Sequence, residues 1–97
     1  MMFEHLYDEA EQTNVNFIGC ISENARYDFS IIYTNHFFGK PLVVCMQTGR
    51  SAVIGTEDLN NVDYIQKMFH ITDRKVGEDL AVLLRSRIPV VGVSDQY

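Results

Sequence analysis

The sequence predicts an α+β domain, an antiparallel four- to five-stranded sheet with a short N-terminal helix and a C-terminal helical pair. Three observations predict it. Apolar residues alternate, or run in short blocks, between positions 15 and 56; apolar residues recur at helical spacing from 57 to 87; and turn-forming residues separate the blocks at short intervals. The chain has 97 residues, enough for one domain, 1–97, and not two.

Phe3, Leu6, Tyr7 and Ala10 follow an i, i+3, i+4, i+7 spacing, which predicts an amphipathic helix over 2–12 that Thr13-Asn14 ends. Val15 to Ser22 reads as a strand with Val15, Phe17, Gly19 and Ile21 on one face, while Ile18 and Cys20 make the other face partly apolar. A turn is expected at Glu23-Asn24-Ala25. Tyr27 to Thr34 alternates most regularly, Phe29, Ile31 and Tyr33 against Asp28, Ser30 and Thr34, with Ile32 the exception, and so predicts a strand with one face on the core. Residues 35–41 read as a loop. Leu42 to Thr48 is apolar on both faces, which predicts a central strand, and Gly49-Arg50 joins it to Ser51–Thr56 as a hairpin. Short links between four strands favour an antiparallel meander.

Thr56 is the expected cap of a helix with stripe Leu59, Val62, Ile65 and Phe69, ending near His70. Thr72 is the expected cap of a second helix carrying Val76, Leu80, Leu83 and Leu84, with Arg85 and Arg87 in the last turn, where the helix dipole favours cations. Gly77 inside this pattern predicts close packing against the preceding helix, since glycine there costs about 1 kcal/mol against alanine. Pro89 ends the helix, and Val90 to Val93 form a candidate fifth strand.

Charge and composition exclude several functions. Hydrophobic residues make up 46% of the chain, too many for a disordered tail, and no apolar run approaches the roughly 18 residues of a membrane span. Thirteen acidic residues against eight basic ones give a net charge of −5, the wrong sign for a protein whose main work is gripping nucleic-acid phosphates. The helical pair does raise a helix-turn-helix alternative through Arg74, Lys75, Arg85 and Arg87, but Glu57, Asp58, Asp63, Glu78 and Asp79 oppose it. The opening Met1-Met2-Phe3-Glu4 is acidic and lacks the apolar core of a secretory signal, so reduced thiols at Cys20 and Cys45 and a cytoplasmic location are expected.

No chemical motif is assembled locally. His5, His36 and His70 are far apart, without metal-ligand spacing, and Glu57-Asp58 and Glu78-Asp79 are adjacent pairs that point apart on a helix. No catalytic residue, metal or cofactor is expected. Arg50, in a glycine turn able to present amides to an anion, and His36 are the candidate ligand-binding residues. Phe37 and Phe38, adjacent aromatics in a loop, are candidate interface anchors, with Val43 and Cys45 on the doubly apolar strand.

The stretch Met46-Gln47-Thr48-Gly49-Arg50-Ser51-Ala52-Val53-Ile54-Gly55, followed by Phe69-His70-Ile71 and Glu78-Asp79-Leu80, resembles a small family of uncharacterised Firmicutes proteins. The resemblance covers nearly the whole chain. It implies a bacterial cytoplasmic origin and carries no activity or site residue. From the residues themselves, the expected function is a small non-catalytic interaction or regulatory domain that self-associates or binds a protein partner. The alternative is a small-ligand binder or enzyme with its site between subunits.

Overall fold

The computed structural model describes residues 2–23 and 25–88. The turn residue Asn24 and the candidate strand 90–93 lie outside them. Four strands, β1 (Val15–Ile21), β2 (Arg26–Ile32), β3 (Leu42–Cys45) and β4 (Ser51–Val53), form an antiparallel meander in sequence order. Two helices follow, α1 (Val62–Phe69) and α2 (Arg74–Arg85), both on one face of the sheet. The expected α+β architecture is therefore present, with β2 and β3 central.

Register decides which side chains reach the helices. Ile18, Phe29 and Cys45 lie side by side across three strands, and Asn16, Ile31, Val43 and Ala52 across all four. Phe29, Ile31, Val43 and Cys45 are all buried against Leu59, Ile65, Phe69, Leu80 and Leu84, and Phe29 meets Phe69 edge to face with ring centroids 5.7 Å apart. Ile18 and Cys20 are thus the inward face of β1.

Residues 2–14 contain no helix, and those from 2 to 10 are exposed. The predicted segment is shorter than the roughly 12–15 residues at which an isolated helix becomes viable, so it needs packing, and its apolar residues Phe3 and Leu6 have none. Glu4 and Asp8, at i and i+4, also repel. The β3–β4 link is wider than the two-residue turn expected. β3 ends at Cys45 and the reversal spans 46–50, closed by Gly49 N–H donating to Cys45 O (2.8 Å) and Cys45 N–H to Arg50 O (2.8 Å). Gly49 sits at φ +73°, a conformation that favours glycine.

The single helix expected over 56–70 is two pieces. Thr56–Asn60 is a 3-10 turn preceded by Gly55, and α1 starts afresh after Asn61, whose side chain accepts from Tyr64 N–H at 3.1 Å. Asn60-Asn61 breaks the helix because an asparagine side chain competes for backbone donors and caps the helix that follows. Asp73 rather than Thr72 caps α2, accepting from Lys75 N–H at 2.9 Å. Gly77 is buried against α1, where a Cβ would come within 2.8 Å of Gln66 Cγ and 3.3 Å of Val62 Cγ1. That is the close packing its position predicts.

Candidate functional site

The six candidate residues do not converge. His36 follows β2, at the end of the sheet where β1 begins; this is called here the near end. Arg50 lies in the β3–β4 reversal, at the far end, so a strand length separates the two. Each is engaged locally. Arg50 Nη2 donates to His70 Nε2 at 2.8 Å. His36 Nδ1 donates to Glu11 Oε1 at 2.7 Å, and its Nε2 lies 3.4 Å from Glu9 Oε1. Glu11 also accepts from the Asn35 backbone N–H (2.7 Å) and the Thr34 hydroxyl (2.9 Å). These bonds, the one from Asn35 foremost, hold the Glu11 carboxyl below its usual range. The cluster is a clamp that pins the chain just before β1 to the β2–β3 connection.

Phe37 and Phe38 sit in that connection and are exposed, Phe38 at 93%. Both have positive φ, 57° and 59°, a left-handed conformation that a bulky residue adopts at a cost of roughly 1–3 kcal/mol. Val43 and Cys45 require correction. Both are fully buried under the helices and offer nothing to a partner; the outward residues of that strand are Leu42 and Val44. A one-residue difference in phase exchanges the two faces of a strand, and both sets on β3 are apolar, so the sequence alone left the choice open.

The thiols are free. Cys20 lies opposite Tyr27 on β2, and Cys45 opposite Phe29, so the two are separated by two strand spacings and by two residues along the strands, roughly 12 Å, beyond the reach of a disulfide. Burial, and then the charge of Asp28, push the Cys20 thiol up and keep it protonated. It lines an apolar hollow of about 230 Å³ with Tyr27, Phe29, Val76, Leu80 and Leu83. Among the described residues no three His, Cys, Asp or Glu side chains come together as a metal site, and no helix is long and apolar enough to cross a membrane.

The outward face of the sheet is unpartnered among the described residues. Val15, Phe17 and Ile21 of β1, Ile32 of β2, Leu42 and Val44 of β3 share it, and no helix covers them. Phe17 is 75% exposed and Ile21 85%. Ser30, between Phe17 and Val44, is the one polar residue enclosed there. At the far end Asp28 is fixed by Gln47 and Arg26, and these bonds, Gln47 first, keep its carboxyl below the usual range. Residues 6–86 match the model of one protein family, described as SAV0927-like. The chain belongs to the SAV0927-like family. The match spans most of the chain and includes all four strands, both helices and the whole outward face. It agrees with the resemblance to a small uncharacterised family drawn from residues 46–55, 69–71 and 78–80. No curated protein matches the chain. Phe17, Ile21, Leu42 and Val44 are not among the six candidates; their only signal in the sequence is the apolar character of both faces of their strands.

Proposed function

We propose that this SAV0927-like protein is a small, non-catalytic cytoplasmic interaction domain that self-associates through the outward face of its sheet. The observation that carries the reading is the contrast on one sheet: helices bury one face, while the other keeps Phe17 and Ile21 in water. Large apolar side chains gathered on one exposed face mark interaction surfaces in soluble proteins. A patch that contacts its own copy across a two-fold axis is the simplest way for one chain to cover it. Phe37 and Phe38 add exposed aromatic surface in the connection at the near end. Free thiols at Cys20 and Cys45 suit a reducing compartment.

The test is Phe17→Glu, which puts a charge at the middle of the patch. Size-exclusion chromatography with light scattering should show the wild-type chain as a dimer and the variant as a folded monomer with an unchanged circular dichroism spectrum. A wild-type monomer would end the reading. The hollow beside Cys20 supports a second reading, a site for a small apolar molecule. Its test is Leu83→Trp, which should fill the hollow and abolish any thermal shift given by small aromatic alcohols; no shift with the wild type removes it.

A further inference from the structure

We infer that residues 2–6 of each chain cross to a second copy and cover the far end of its sheet face, around Gly19, Ile21 and Met46. The inference rests on the self-association reading and assigns a role to a segment that reading leaves idle. Met2, Phe3 and Leu6 are about as exposed as side chains become, Phe3 at 96%. The next stretch is fastened. Glu9 and Glu11 meet His36, and the Tyr7 ring lies 6.3 Å from the His36 ring, so residues 7–11 run along the β2–β3 connection beyond the near end of the sheet.

Reach then decides which sheet the arm can cover. Met2 lies five residues from Tyr7, Phe3 four and Leu6 one, so none extends more than roughly 17 Å from it. Ile21 is six residues along β1 from Val15, roughly 20 Å, and Tyr7 starts from outside the Val15 end. An arm cannot cover the far end of its own sheet. With a two-fold axis between two sheets and across their strands, the near end of one lies over the far end of the other. The partner's arm arrives where its own arm falls short.

The far end has features that suit this occupant. Gly19 leaves a hollow of about 370 Å³ beside Phe17, Asp28 and Met46, able to receive an aromatic side chain such as Phe3. Met46 is 56% exposed. Glu4, between Phe3 and Leu6, carries charge opposite to that of Arg26, which stands across from Ile21, already bonds Asp28 at 3.1 and 3.2 Å, and keeps most of its side chain in water, so a second carboxylate can still approach it. Phe3, Leu6 and Tyr7 also keep the spacing of a helical stripe, so a segment too short to fold alone has an apolar side to present on docking.

Two single-cysteine surface variants test the inference, both in a Cys20→Ser background, with buried Cys45 retained. Glu4→Cys carries a purification tag and Arg26→Cys does not. The two are mixed at a concentration where sedimentation shows the dimer, and oxidised with glutathione disulfide. The expected result is a mixed covalent dimer of one tagged and one untagged chain as the main product. A dimer by sedimentation with no mixed disulfide overturns the arm exchange and leaves the sheet-face reading standing. A Glu4→Cys/Arg26→Cys double variant that closes within one chain also overturns it. Absence of any dimer, wild type included, overturns both. As an independent measure, Phe3→Ser with Leu6→Ser should weaken dimerisation at least roughly tenfold, the order expected for losing two apolar anchors, while unfolding of the monomer is unchanged.

Discussion

Ile31 and Ile21 stand on neighbouring strands of one sheet, and only Ile31 is inside. Ile31 faces α1 and α2 and is fully enclosed with Val43, Leu59 and Phe69; Ile21 faces the other way and is almost wholly in water. The difference is one of parity, since alternate residues of a strand point to opposite faces. The helices complete only the first face. On β2 composition already separates the faces, with Asp28 and Ser30 turned outward, but β1 and β3 are apolar on both: Ile18 and Val43 point inward, Phe17 and Val44 outward. Apolar side chains on both faces of β1 and β3, covered on one side only, are the observation behind the proposed self-association.

The contrast can be broken most strongly at its two isoleucines. Ile31→Ala should cost roughly 2–5 kcal/mol of unfolding free energy, because it removes buried methyl groups and leaves a cavity. Ile21→Ala should cost less than roughly 0.5 kcal/mol in dilute, monomeric samples, as surface changes do, and should weaken self-association instead. Equal destabilisation of the two in urea titrations would show that the faces are energetically alike and that β1 is covered within its own chain.

A smaller effect is expected from the strained loop. Phe38→Gly should stabilise the monomer by about 1 kcal/mol in chemical unfolding, because glycine adopts positive φ without the strain a phenylalanine bears. Loss of stability in that variant would mean the exposed ring makes contacts that outweigh the strain.

The weakest lever is pH, acting on the clamp between the N-terminal arm and the loop. Glu11 is held below its ordinary value of 4.5 by its bonds to Asn35, Thr34 and His36. A carboxylate with a lowered folded pKa contributes its stabilisation fully above the unfolded value and loses it as pH falls through the folded one. Arm anchoring should therefore be intact above about pH 5 and fade as the pH falls below the ordinary carboxylate range. Amide resonances of Asn35 and His36 report it, and Glu11→Gln should abolish the acid transition. A transition that persists in Glu11→Gln would place the responsible group elsewhere.

The sheet order and the helical pair were legible because alternation in 27–34 and the stripes Leu59–Phe69 and Val76–Leu84 are strong local signals. Three things were not. The helix break at Asn60-Asn61 depends on a side-chain bond that spacing does not reveal. The absence of helix in 2–12 follows from what fails to pack on it, which is a tertiary fact. The outward direction of Leu42 and Val44 depends on strand phase, and a strand apolar on both sides carries no phase in its sequence. Of the candidate site, Phe37 and Phe38 were readable as adjacent aromatics in a loop, while their exposure depends on what packs around that loop. Arg50 and His36 were readable only as residue types, and the fold places them at opposite ends of the sheet.

The most direct test of the account is sedimentation of the wild-type chain through a dilution series in the micromolar range. A reversible monomer–dimer equilibrium is expected, with the dimer predominant at the concentrated end and its dissociation constant raised by Phe17→Glu. A single species at monomer mass at every concentration would contradict it, because the outward face would then be bare in the functioning molecule.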